Sequence, residues 1–231
     1  MNIGGLQKLT LLDYPEHTAC TVFLNGCNFR CPFCYNSSLL SLKQESNQIP
    51  EEEFFSFLAT RKNKLDGVAI SGGEPLLQKD IISFIQKIKK MGFLVKLDTN
   101  GSFPELLQYL IHHHLVDYVA MDIKNSFEKY NMTAQCLCDL EKIKKSIHLL
   151  LENKVDYEFR TTIVKEFHEI TDFDHIGKMI YGAKRYYLQC FQNKESVLTP
   201  SLHALEKEDL IKCLKVVQKY IPQVQLRGMN I

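Results

Sequence analysis

The chain has 231 residues, of which 45 % are hydrophobic and 24 % charged, the make-up of a soluble globular protein long enough to bury a full core. Lys plus Arg number 28 against 27 for Asp plus Glu, a balance that argues against a nucleic-acid or polyanion partner. The N-terminus lacks a signal-peptide apolar region, no apolar run is long enough to cross a bilayer, and eight cysteines without an export signal point to a reducing cytoplasm.

Short β-rich runs alternate with longer amphipathic ones, and no evident linker divides the chain, so residues 1–231 are expected to form one domain. Thr18–Leu24 reads as a buried strand that runs into a cysteine loop at 25–36. Pro50-Glu51-Glu52-Glu53 opens a helix to about Lys64, with proline in the first turn and acids at the positive end of the dipole. Gly67–Ser71 is a strand ending in Gly72-Gly73-Glu74-Pro75, and Leu76–Met91 a helix with Ile81, Phe84, Ile85 and Ile88 on one face. Phe93–Leu97 is a strand ending in Asp98-Thr99-Asn100-Gly101, followed by a helix over Pro104–Leu115. Tyr118–Met121 is a strand ending in Asp122-Ile123-Lys124, after which a polar stretch leads to a helix near Asp139–Asn153. Strands at Tyr157–Val164 and Arg185–Cys190 flank a helix at Asp172–Tyr181. A helix at about Ala204–Tyr220 precedes a short strand at Val224–Arg227. This alternation predicts an α/β fold with a mostly parallel sheet and an active site at the C-terminal strand ends. Roughly six strand–helix units are too few for an eightfold barrel, so the expected form is a partial, open parallel β/α barrel.

Cys27, Cys31 and Cys34 form a C-x3-C-x2-C loop directly after an apolar strand. A structural zinc site usually pairs two C-x2-C knuckles, and there is no second knuckle. A disulfide framework does not suit a long chain with a large apolar fraction and no signal peptide. Buried inert thiols are a third reading, but a Gly/Asn/Arg/Pro loop would make an odd core. Three thiolates can instead hold one face of a [4Fe–4S] cube, which usually takes four cysteines. One iron is then left for a substrate or cofactor.

With Gly72-Gly73-Glu74, Asp98-Thr99-Asn100-Gly101 and Asp122-x-Lys124 at successive strand ends, the loop resembles the radical S-adenosylmethionine (SAM) superfamily. Leu12-Asp13-Tyr14-Pro15 and Cys20-Thr21-Val22-Phe23 resemble the glycyl-radical-enzyme activases, above all those of anaerobic ribonucleoside-triphosphate reductase. The resemblance covers about Leu6 to Arg227. It implies that Cys27, Cys31 and Cys34 hold a [4Fe–4S] cluster and that SAM chelates the fourth iron. It further implies reductive cleavage of SAM to methionine and a 5′-deoxyadenosyl radical, which removes a glycine Cα hydrogen from a partner glycyl radical enzyme. Gly72, Gly73 and Glu74 are then expected to support the SAM amino group, since glycines allow close approach and a carboxylate accepts from an ammonium. Asp98, Thr99, Asn100 and Asp122 are expected near the polar parts of SAM, with a monovalent cation beside Asp98, Thr99 and Asp122. Lys124 and Arg160 suit the SAM carboxylate, and Phe33 the adenine. The implied partners are the reductase and a flavodoxin- or ferredoxin-like electron donor, with neither nucleic acid nor membrane. Glu16 and Tyr35 stand where relatives often carry Gly and His, and Gln189–Gln192 departs from the basic or proline-containing segment of relatives. The alternative is a radical SAM enzyme acting on a small molecule, in the manner of 7-carboxy-7-deazaguanine synthases. A non-catalytic metal-binding module would leave the strand-end acids and bases unexplained.

Several features receive a plainer reading. Cys20 and Cys213 read as core, Cys190 as structural, and Cys136 and Cys138 as free thiols that lack further cysteines at cluster spacing. His112-His113-His114 reads as a solvated helix end, because consecutive helical positions fan over different faces.

Overall fold

In the computed structural model, which describes residues 1–41 and 48–229, one sheet has its strands in chain order from β1 to β8. The strands are β1 (Ile3–Thr10), β2 (Ala19–Leu24), β3 (Gly67–Gly72), β4 (Leu94–Thr99), β5 (Tyr118–Asp122), β6 (Asp156–Ile163), β7 (Tyr186–Cys190) and β8 (Val224–Arg227). β1 pairs antiparallel with β2, and every later pair is parallel. The sheet is not closed: β1 and β8 are its two edges. This is the expected partial, open β/α barrel. Residues 42–47 and 230–231 of the expected 1–231 unit lie outside the described residues.

The helices are α1 (Glu51–Ala59), α2 (Ile81–Lys90), α3 (Pro104–His112), α4 (Tyr130–Ala134), α5 (Leu140–Leu151), α6 (Ile170–Met179) and α7 (Lys207–Val217). The apolar positions of each strand form one core with them. Val22 and Leu24 of β2, Val68 and Ile70 of β3, and Val95 and Leu97 of β4 are fully buried, as are Ile81, Ile85 and Ile88 of α2. Each such side chain contributes roughly 1.5–3 kcal/mol from burial. The alternate positions face the lumen and carry the polar residues. A small separate cluster of Tyr14, Ala19, Tyr118 and Ala120 stops the lumen at the N-terminal strand ends. The Asp-Tyr-Pro stretch thus works as a plug, and Asp13 Oδ2 accepts a 2.5 Å hydrogen bond from Thr21 in the lumen wall.

Four elements differ from expectation. β1 is an additional strand, unannounced because its segment Ile3-Gly4-Gly5-Leu6-Gln7-Lys8-Leu9-Thr10 has two glycines and no run of β-branched residues. α1 stops at Ala59 rather than near Lys64, where Thr60 and Arg61 turn back on Phe57 and Leu58 and Asn63 adopts φ 61°. The helix expected from Leu76 starts at Ile81. Residues Pro75–Leu77 form a 3-10 turn instead, because the Glu74 carboxylate takes the Leu76 N–H and Gln78 is tied to the Asn25 carbonyl at 2.6 Å. The polar stretch before α5 contains the short helix α4.

Candidate active site

A cavity of about 350 Å³ opens at the C-terminal ends of the strands. The three cysteines line it, together with Phe33, Gly72, Gly73, Asp98, Thr99, Asn100, Asp122, Lys124 and Arg160. Of the residues singled out from sequence, Glu74 alone does not. Ser71, Thr162 and Gln189 also line it without having been singled out as site residues; each lies on a strand, where alternation of polar with apolar positions is the signal that could have found them, and Asp13 of the Asp-Tyr-Pro stretch reaches the cavity from the loop before β2.

The loop is held by backbone bonds to Leu39, just after it, and to Ala134, about a hundred positions on. Gly26 N–H donates to Leu39 O at 2.7 Å, and Arg30 N–H to Ala134 O at 3.0 Å. The Arg30 guanidinium folds back on Cys27 O and Phe29 O. A late segment covers the other side: Leu198 and Thr199 N–H donate to Cys34 O and Pro32 O, and Gln192 N–H donates to the Tyr35 hydroxyl at 2.7 Å. Tyr35 stacks on Phe191, while Phe33 packs against Phe167 and His168. The segment that looked least typical of the family therefore closes the cysteine loop.

The Gly72–Glu74 turn buttresses the same loop. Gly73 N–H donates to Leu24 O and Glu74 N–H to Gly26 O, at 2.9 and 2.8 Å. Gly72 has φ +115°, and a Cβ on Gly73 would stand 2.1 Å from Gly26 O. Gly73→Ala is expected to force the two backbones apart, at roughly 1–3 kcal/mol of stability, and to lower iron content. Denaturant unfolding and iron analysis on the same preparation check this.

Glu74 is 1 % exposed and its oxygens are occupied by donors: Leu76 N–H, Thr99 Oγ1 and Asn100 N–H, at 3.1, 2.9 and 2.7 Å. Asn100 in turn donates to Asn28 in the cysteine loop. The Asp-Thr-Asn segment and the glutamate so lock β3, β4 and the loop together. Burial raises the Glu74 carboxyl to about 7 against these hydrogen bonds. A carboxyl whose folded pKa exceeds its unfolded value of 4.5 makes its full contribution below pH 4.5, which is lost as pH rises towards 7. The stability difference between wild type and Glu74→Gln is thus expected to shrink between pH 4.5 and 7, by roughly 3 kcal/mol. Chemical denaturation across that range measures it; a constant difference would contradict it.

The lumen carries a chain of charges. Arg160 Nε donates to Asp122 Oδ1 at 2.9 Å, and its Nη1 lies 3.4 Å from Asp98 Oδ2. Lys124 pairs with Asp122 at 3.0 Å, Lys96 pairs with Asp98, and Ser71 donates to Asp98. Burial opposes ionisation of Asp122, but Arg160 and Lys124 outweigh it and hold the group at about 2. Asp98 is also lowered, its burial outweighed by Arg160 and Lys96. Burial alone would lower Lys124, yet Asp122 and Cys31 hold it well above the usual lysine range. Deeper in the lumen, Arg227 grips Glu158 at 2.8 and 3.0 Å and lies over the Tyr187 ring, tying β8 to β6 and β7.

Burial pushes the Cys27 and Cys31 thiols up to about 11 and 12 and raises Cys34, while the Lys124 charge acts in the opposite sense on all three. Metal ligation requires thiolates. Three cysteines and Lys124 line one cavity, and among the described residues no fourth cysteine lines it; as a donor set, three soft sulfurs fit an iron–sulfur cluster held on one side.

An open β/α barrel with three cysteines and a charged shell at its mouth defines a class of cluster-dependent enzyme. The chain belongs to the radical SAM superfamily, whose sequence profile it matches over residues 21–173, and within it to the glycyl-radical-enzyme activase group. Membership implies a [4Fe–4S] cluster and SAM. It is 36 % identical to an inferred glycyl-radical enzyme activating enzyme of Methanocaldococcus jannaschii, over 99 % of this chain and 96 % of that one. It is 34 % identical over 94 residues to the anaerobic ribonucleoside-triphosphate reductase-activating protein of Escherichia coli K12, covering 38 % of this chain and 60 % of the other. A solved domain of a pyruvate-formate lyase-activating enzyme from Bacteroides vulgatus shares the fold, with TM-score 0.58 at 16 % identity over 70 % of this chain and 99 % of that one. No helix among the described residues is long and apolar enough to cross a membrane.

Proposed function

We propose that this radical SAM enzyme activates a glycyl radical enzyme, and that its partner is an anaerobic ribonucleoside-triphosphate reductase. The observation that carries the reading is the gathering of Cys27, Cys31, Cys34, Lys124 and Arg160 around one cavity. Similarity to an activator of that reductase, and the Leu12-Asp13-Tyr14-Pro15 stretch, support the choice of partner.

Bound cluster and SAM supply reductive cleavage of the sulfonium and, from it, abstraction of a glycine Cα hydrogen. The chain's own part is positional. Cys27, Cys31 and Cys34 hold the cluster, and Lys124 favours their thiolate form. Arg160 and Lys124 present charge-assisted donors to the SAM carboxylate. The Gly72–Gly73 backbone borders the amino group, and Phe33 gives the adenine an apolar face. Asp98, Thr99, Asn100 and Asp122 set the polar wall; Glu74 acts through Thr99 and Asn100 rather than by contact. A monovalent cation that Asp98, Thr99 and Asp122 would hold belongs to the same proposal. A flavodoxin- or ferredoxin-like protein supplies the electron.

The test is anaerobic incubation of the reconstituted enzyme with reductant, SAM and the reductase. A glycyl radical signal on the reductase, with matching 5′-deoxyadenosine, is expected. A signal confined to another glycyl radical enzyme would reassign the partner. Turnover of a small pterin-like substrate without any protein partner would sink the activase reading.

A further inference from the structure

Outside the cavity, one pair of side chains has chemistry that the proposed reaction does not use. We propose that Cys136 and Cys138 are a redox-active dithiol that closes reversibly to an intramolecular disulfide beside the cysteine loop. Their Sγ atoms lie 3.4 Å apart, in mutual contact. Both residues are partly exposed, whereas Cys20 and Cys213 are fully buried.

The backbone holds the pair in this arrangement. α4 ends at Gln135 in a left-handed conformation with φ 50°, which swings the chain round. Asn131 then fixes the returning strand of the loop: its carbonyl accepts from Cys136 N–H, and its side-chain Oδ1 accepts from Cys138 N–H at 2.8 Å. Leu137 is thrust outward, 96 % exposed, and the flanking sulfurs turn inward towards each other. Two cysteines with a single residue between them can close only a small, strained ring. Strained, accessible disulfides have the more oxidising potentials and are the labile ones. A bridge here is therefore suited to reversible cycling rather than to structural support. Its location matters as well, since Ala134, at the base of the loop, accepts the Arg30 N–H next to Cys31.

The chemistry balances with a small disulfide such as oxidised glutathione as oxidant. One protein sulfur, as thiolate, attacks it, forming a mixed disulfide and releasing one small thiol. The second protein sulfur displaces the other small thiol, so two protein thiols and one small disulfide give one protein disulfide and two small thiols.

The full chain, cluster-loaded and kept anaerobic, is equilibrated in glutathione buffers of graded oxidised fraction, alkylated and digested with trypsin. Tyr130–Lys142 is released as one peptide that contains both cysteines and no others. The expected result is loss of both alkylation sites, a peptide two hydrogens lighter, and full recovery with dithiothreitol. Cys136→Ser and Cys138→Ser should each leave glutathione on the remaining cysteine. Glutathione adducts on both cysteines of the wild type, a cross-link to the Cys31 peptide, or full alkylation of the pair across the whole series would each overturn the proposal. The wild-type measurement decides even where a variant fails to fold, and it is independent of SAM cleavage.

Discussion

A Cys31→Ser variant should emerge from anaerobic reconstitution without its full cluster and should yield no reductant-dependent 5′-deoxyadenosine above background. Cys31 is the most enclosed of the three cysteines, 6 % exposed, and lines the cavity together with Phe29 and Phe33. A serine hydroxyl in that position is a harder and far less acidic donor than a thiol. Losses of outer-shell partners cost about 10–100-fold in metal affinity, and removal of a ligand should exceed that. Iron and sulfide analysis with the visible absorption band gives the answer directly. Cys190→Ser is the control: that side chain is not in the cavity wall, and the variant should load normally. Equal cluster content in the two variants would remove the foundation of the functional reading.

Arg160→Met is the second change with a large expected effect. The guanidinium lies between two carboxylates, Asp122 and Asp98, on neighbouring strands. Removing it leaves each acid with a lysine, but takes away the group that joins them. Breaking a fully buried pair costs about 3–5 kcal/mol. Asp122 is 30 % and Asp98 17 % exposed, so solvent recovers part of this and the expected loss is nearer 2–3 kcal/mol. SAM affinity should fall by at least tenfold, since one charge-assisted contact is worth about 1.5–3 kcal/mol. Equilibrium binding of SAM to cluster-loaded protein, alongside denaturant unfolding, separates the two effects. Unchanged affinity with reduced stability would assign Arg160 to the scaffold alone. The Asp122 carboxylate should also protonate more readily in this variant, because its low pKa rests first on Arg160 once burial has been overcome.

Much of this arrangement was legible in the sequence because strand ends in a parallel sheet lie along one edge. Gly72-Gly73, Asp98 and Asp122 therefore meet even though they are spread over 51 positions, and the periodicity of α2 placed Ile81, Phe84, Ile85 and Ile88 in the core. Individual roles were less legible. Glu74 has the charge to meet an ammonium, but hydrogen-bond donors from Leu76, Thr99 and Asn100 reach it first. Nothing in residue type reveals such prior occupation. Lys96 was likewise hidden: within an apolar strand it was not singled out, yet it is 2 % exposed and pairs with Asp98. The contacts from Gln192, Leu198 and Thr199 to the cysteine loop were out of reach, since backbone N–H groups have no sequence signature. β1 escaped because its glycines suppress the pattern by which a strand is usually found.

The order of the strands across the sheet has a consequence for how the protein is made. Because β1 to β8 lie side by side in the order of synthesis, each strand can pair with the one before it as soon as it leaves the ribosome. The cysteine loop is the exception. Its cover of residues 191–199 comes more than 150 positions after it. A nascent chain therefore carries the loop without this cover until residues 191–199 emerge, and in the folded chain Cys31 is buried while Cys27 and Cys34 stay partly exposed.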